Sequence, residues 1–134
     1  RWRCERSPVL KMHNLEKRNM NLELLMDIPG ALAAFTYTDK GDLVDHRVRE
    51  GTEITPQVLD LLAHSCVANM AVATLEARGW ENLTGQKGFE PLQGFSMVGL
   101  EWSAVVNGRC GVIVRNRDAD YEAAFGAIQA CAAA

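Results

Sequence analysis

The sequence has 134 residues, of which 48% are hydrophobic and 23% charged, with a formal net charge of −3. That length is one domain, enough to bury a core. No run of apolar residues approaches the roughly 18 of a membrane span, and an acidic body repels a polyanion, so neither an integral membrane protein nor a phosphate-backbone binder is expected.

The charge is unevenly placed. Arg1, Arg3, Arg6, Lys11, Lys17 and Arg18 against Glu5 and Glu16 give residues 1–19 a net charge of +4, leaving −7 for the rest. This leader has a basic start but no apolar h-region, so it does not read as a secretory signal. We read it as a disordered extension ahead of a domain spanning 20–134; a short basic arm is the rival reading. Cys4, Cys66, Cys110 and Cys131 form no C-x-x-C pair and no metal-ligand spacing with a histidine. The expected setting is a reducing cytoplasm in which the thiols act as small hydrophobes.

In chain order, "MNLELLMDIPG" places Leu22, Leu25 and Met26 on one side of a two-turn helix that Pro29-Gly30 stops. "ALAAFTYT" follows as an apolar strand with Phe35 and Tyr37 on one face, "DKGD" as a turn, and "LVDHRVR" as a second, half-polar strand. Thr55 then caps a long helix with Pro56 at its first position, and Gly79 is the expected stop after Arg78. Two apolar rows run along this helix: Val58, Leu61, Ser65, Ala68, Val72, Leu75, and Leu59, Leu62, Cys66, Met70, Ala73, Ala77. Together they exceed the single stripe of a surface helix, so the helix is covered on more than one side.

"WENLTGQKGFEPLQG" reads as a connector, and "GFSMV", "WSAVV" and "RCGVIVR" as three short strands. Asn107-Gly108 suits the two positive φ values of a type I′ turn. "RDADYEAAFGAIQACAAA" closes the chain as a helix whose face is Tyr121, Phe125 and Ile128 with Ala124 and Cys131 beside them. Two strands cannot bury a face alone, so all five are expected in one antiparallel sheet, with the long helix on one face and helices at both termini. The fold class is α/β in the α+β sense.

Three segments, "LMDIPGALAAFTYTDKGDLVDHR", "CVANMAVATLEARGW" and "PLQGFSMVG", together with this order of elements, resemble the roadblock/dynein light chain superfamily over about residues 20 to 131. The nearest likeness is to a bacterial branch of small, uncharacterised roadblock-like proteins. The resemblance implies a profilin-like sandwich that dimerises by joining sheets or packing long helices. It also implies a scaffold or a regulator of small GTPases or multiprotein complexes, without enzymatic chemistry. The surplus apolar row on the long helix agrees independently, because it can face a two-fold mate; a terminal helix covering it within one monomer is the alternative.

No catalytic set emerges. His64, four residues after Asp60, reads as an ordinary helical pair with no nucleophile tied to it. His46 beside Asp45 reads as a solvated edge residue. Cys66 or Cys110 would be redox thiols only if a basic neighbour depressed their pKa. "TGQKG" matches a G-x-x-G loop too weakly to imply nucleic acid, while Trp80 and Trp102 are either core margins or partner anchors. No cofactor, metal, nucleic acid or membrane is implied. The expected partners are a second copy and an unidentified protein. The expected contact residues are Asp45, His46 and Arg47 on the second strand and Leu61, Ala68, Met70, Val72 and Leu75 on the long helix. The rival function is a small-molecule or thiol-redox sensing module, which needs an enclosed apolar pocket or a reactive Cys66 or Cys110.

Overall fold

A computed structural model of the chain describes residues 8, 9, 12 and 21–133. The disordered leader expected over 1–19, and Cys4 within it, lie outside the described residues apart from Pro8, Val9 and Met12, which are helical and exposed. From residue 21 the order is α1 (21–26), β1 (Ala31–Tyr37), β2 (Leu43–Val48), α2 (Pro56–Thr84), β3 (Gly94–Val98), β4 (Trp102–Asn107), β5 (Cys110–Arg115), a 3₁₀ turn (Asn116–Asp118) and α3 (Tyr121–Ala133). The five strands form one antiparallel sheet in the order β2-β1-β5-β4-β3. The N- and C-terminal strand groups therefore meet at the β1–β5 pairing, and β2 and β3 are the two edges.

Alternation divides the core into two layers. Leu22, Leu25 and Ile28 join Ala31, Ala34, Val105, Val112 and Val114 with Ala124 and Ile128 of α3 on one face. On the other, Phe35, Tyr37, Val106 and Ile113 pack under Leu59, Ala63 and Cys66 of α2. The terminal helices thus share the face opposite α2. In the first strand Phe35 and Tyr37 lie on one side as expected, with ring centroids 5.9 Å apart. Gly111 is paired opposite Phe35. A Cβ there would come 2.4 Å from Phe35 Cζ, so the ring occupies the space a side chain would take.

Three expectations need correction. α2 does not stop at Gly79 but runs to Thr84, where Gly85 takes the left-handed cap conformation (φ 70°) and donates its N–H to the Glu81 carbonyl. An interior glycine weakens a helix by only about 1 kcal/mol, and Ala77 and Glu81, both buried, hold the turn on either side of it. At the β4–β5 turn Asn107 pairs with Cys110 as the last residue of β4. The two-residue loop is therefore Gly108-Arg109, with the positive φ confined to Gly108 (58°). That is the type II′ requirement of glycine at the first central position, not type I′. On α3, Ala124 and Ile128 are buried, while Tyr121 and Phe125 remain 40% and 38% exposed. The small alanine side lies close to the sheet and leaves the aromatic rings at the rim. By length and composition alone α2 could also cross a membrane, a test that a core helix passes as well, and His64, Ser65, Asn69 and Thr74 interrupt its apolar residues. Here its Leu59, Ala63 and Cys66 lie on the sheet.

Candidate interaction surface

The helix α2 begins as its sequence dictates: Thr55 Oγ1 accepts the Val58 N–H at 3.3 Å, with Pro56 at the first position. Its two apolar rows then separate. Leu59, Cys66 and Ala77 of the second row are buried, and Leu62, Met70 and Ala73 are half-buried. The first row faces outward: Leu61, Val72 and Leu75 are 69%, 57% and 66% exposed, and Ala68 is exposed between them. Spacing along Val58, Leu61, Ser65, Ala68, Val72 and Leu75 alternates three and four residues, the seam of a coiled coil. No described residue of α1 or α3 covers it, because both pack on the other side of the sheet.

Of the residues expected at an interface, the structure therefore brings Leu61, Ala68, Val72 and Leu75 onto one outward row. Met70 belongs to the row turned toward the sheet. Asp45, His46 and Arg47 lie on β2, the edge strand beside β1, and are half-buried. Asp45 Oδ1 accepts the His46 N–H at 2.8 Å and Arg47 Nη1 at 3.1 Å, so this edge spends its charge internally.

The opposite edge, β3, carries none of the expected contact residues. β3 exposes Met97 (46%) and Val98 (66%), successive residues that face opposite sides of the sheet, and Leu100 and Trp102 beyond them are 97% and 46% exposed. The available signal was "GFSMVGL": apart from Ser96 the segment carries no polar side chain, so both faces of this edge expose apolar residues, which is unusual for an edge. A cleft of about 920 Å³ joins this hairpin to α2; Leu32, Ile54, Val58, Leu100 and Trp102 form its apolar wall and Glu53, Glu101 and Arg115 its polar rim. It is an open cleft of mixed polarity, not the enclosed apolar pocket a small-molecule sensor requires.

At the far end of α2, Trp80 (53% exposed) and Phe89 (54%) lie with ring centroids 6.1 Å apart. Glu81 shapes the loop that carries Phe89. Its Oε1 accepts the backbone N–H groups of Glu90 at 2.9 Å, Phe89 at 2.9 Å and Gly88 at 3.1 Å, and Lys87 Nζ lies 3.4 Å from Oε2. The Glu90 and Phe89 N–H groups lead in holding this carboxyl below its usual range, against its burial. The lysine of "TGQKG" is thus the partner of Glu81, and the segment works as an anchored connector.

The titratable candidates assemble no reaction centre. His64 Nδ1 lies 2.8 Å from the Asp60 carbonyl oxygen, with Asp60 Oδ2 and Asp42 Oδ1 each 3.7 Å from its ring. Asp60 Oδ1 accepts the Leu43 N–H at 3.1 Å, so it also ties the start of β2 to the helix. Among the described residues no cluster of three metal-ligating side chains occurs. Cys66 is buried, and burial pushes its thiol up to about 11, so it stays neutral and unreactive near pH 7. Burial raises the Tyr37 phenol too, with Cys66 beside it adding to the effect; its hydroxyl donates to the Gly108 carbonyl at 2.9 Å. Cys110 is not the free thiol expected. It is bonded to Cys131, across a 6.5 Å Cα–Cα separation that neither position signalled in sequence.

The family model described as an uncharacterized conserved protein, DUF2173, matches residues 21–130. The chain belongs to the DUF2173 family. Solved structures fix what fold this family member has. An MglB structure described as having a tetrameric arrangement superposes with a TM-score of 0.69 at 21% identity, over 88% of this chain and 87% of that one. The gliding protein MglB of Thermus thermophilus gives 0.65 at 20% identity, over 88% and 90%. A Roadblock/LC7 domain from Streptomyces avermitilis gives 0.62 at 13% identity, over 83% and 87%. This DUF2173 member therefore has the roadblock fold, as the resemblance implied. No curated protein matches the sequence.

Proposed function

We propose that this chain is a homodimeric protein-interaction module of the roadblock type, acting by surface recognition without chemistry of its own. The observation that carries the reading is the outward row of α2, where Leu61, Val72 and Leu75 stand exposed at coiled-coil spacing with no cover among the described residues. A two-fold contact along α2 uses the same row on both copies and so buries it completely. The neighbouring β3 edge, which exposes Met97 on one side and Val98 on the other, extends that contact by pairing with its own symmetry mate, which would continue the sheet across the dimer. The tetrameric arrangement recorded for an MglB is an example of self-association on this fold.

The joined sheet and helix pair would then present Trp80, Phe89 and the polar cleft rim to a second protein, a small GTPase or a component of a larger complex. An aromatic pair fixed by the end of α2 and by the loop anchored on Glu81 is suited to that role because it contributes large contact area at low entropic cost. The domain limits 20–134 follow from the same reading. Light scattering at two concentrations tests the dimer: a mass of twice 14.8 kDa is expected at the higher one, and a monomer there would sink the proposal. Affinity capture with the wild-type dimer and with a Trp80→Ala variant tests the partner surface, which predicts a protein retained by the first and lost by the second.

A further inference from the structure

α3 is held at its two ends by different means. At its start Asp120 Oδ1 accepts the Ala123 N–H at 2.9 Å, and the Tyr121 hydroxyl lies 3.0 Å from Ser103 Oγ on β4. Toward its end, among the described residues, no hydrogen bond ties the last turn to the sheet; the bond between Cys131 and Cys110 does so instead. Gly126 separates the two halves, with open space where a Cβ would stand, and a glycine inside a helix is a weak point.

The apolar hold beyond Gly126 is small. Of the described side chains there, Ile128 is buried, Ala127 and Cys131 are half-buried, and Gln129, Ala130 and Ala132 are exposed. One isoleucine and a few alanines scarcely offset the backbone entropy of seven ordered residues. The bond ties the far end of this segment to the first residue of β5, so with the sheet and the start of α3 folded, residues 127–133 can move away only once it is broken. The cross-link is therefore the dominant restraint on this segment.

We propose that Cys110–Cys131 is a thiol–disulfide latch: bonded, it holds the C-terminal half of α3 against β4 and β5, and reduction lets residues 127–133 undock. Cys110 is 4% exposed and Cys131 half-buried, so the Cys131 sulfur is the accessible point of attack. A thiolate of a dithiol reductant attacks Cys131 Sγ, the Cys110–Cys131 bond breaks, and the Cys110 thiolate leaves and is protonated. The reductant's second thiolate then attacks the mixed disulfide and releases Cys131. Two electrons and two protons pass to the cysteine pair, and the dithiol becomes a disulfide. Undocking uncovers the sheet face around Val105 and Val112, beside Leu22 and Leu25 of α1. This face is opposite the outward row of α2, so the latch stands independently of the proposed dimer.

Hydrogen exchange on the full chain, with and without excess dithiothreitol, tests the proposal. In the reduced protein the amides of 127–132 should exchange at least about tenfold faster, while those of β1, β4 and β5 change by less than about threefold. The Cys131→Ser variant should reproduce the fast exchange without reductant, and Cys66→Ser should not. Unchanged protection of 127–132 on reduction overturns the latch. Loss of protection throughout the sheet also overturns it, since the bond would then be a global staple. Alkylation of both Cys110 and Cys131 in the unreduced, air-exposed protein overturns it as well.

Discussion

Replacing Leu75 by aspartate tests the outward row of α2 most directly. Leu75 is 66% exposed in the protomer. Fully burying a leucine side chain is worth ~2.5 kcal/mol, so covering the exposed two-thirds contributes ~1.7 kcal/mol per copy. A two-fold contact uses the position twice, giving ~3.3 kcal/mol per dimer, or roughly 200-fold in Kd. Aspartate adds the cost of desolvating two carboxylates, so that figure is a lower bound. Within the protomer the side chain touches little, and the change of helix propensity is only about 0.5 kcal/mol. Leu75→Asp should therefore move the monomer–dimer midpoint up by at least about two decades in concentration, read by light scattering or sedimentation, while far-UV circular dichroism stays that of the wild type. Val44→Asp, on the opposite edge and 47% exposed, is the control and should leave the midpoint unchanged. A Leu75→Asp protein with wild-type mass at every concentration would refute the reasoning. If Val44→Asp alone dissociates the dimer, the contact lies on β2, with Asp45, His46 and Arg47.

Gly111→Ala forces a Cβ to within 2.4 Å of the fully buried Phe35 ring; overpacking should destabilise by ~1–3 kcal/mol in urea unfolding, and Phe35→Leu in the same chain should recover part of it. Glu81→Gln should loosen the 88–90 loop, seen as faster amide exchange there. The sign of its pH dependence follows from the lowered carboxyl: the wild-type anchor is intact above the ordinary carboxylate range and is lost as pH falls through the lower folded value. The glutamine variant should lack that acid transition. Cys66, with its thiol pushed up to about 11, should resist iodoacetamide in the native protein at pH 8 and react only after unfolding; native labelling would contradict its burial.

Much of this architecture is written locally. Alternation along "ALAAFTYT" places Phe35 and Tyr37 together because a strand's period is two, whatever it packs on. Thr55-Pro56 starts α2 because capping involves only neighbouring backbone N–H groups. Three-four spacing makes Leu61, Ala68, Val72 and Leu75 share a row in any α-helix. The order of elements and three segment likenesses were enough for the roadblock fold, which the structural comparisons bear out.

What local pattern left open required the packed chain. Either apolar row of α2 could have met the sheet; the one with Leu59 and Cys66 does so, joined by Ala63 from outside both rows, because these small and medium side chains fit over Phe35 and Ile113. The helix outlasts Gly79 because Glu81, two residues on, is fixed by a loop up to nine residues further along. The turn after β4 slips one residue because pairing of Asn107 with Cys110 assigns the positive φ to Gly108 alone. β3 becomes an exposed apolar edge only once β5 has inserted between β1 and β4. Cys110 and Cys131 meet only because α3 folds back over the strand that begins with one of them. Each of these depends on residues distant in sequence but adjacent in space, a relation that period and propensity do not encode.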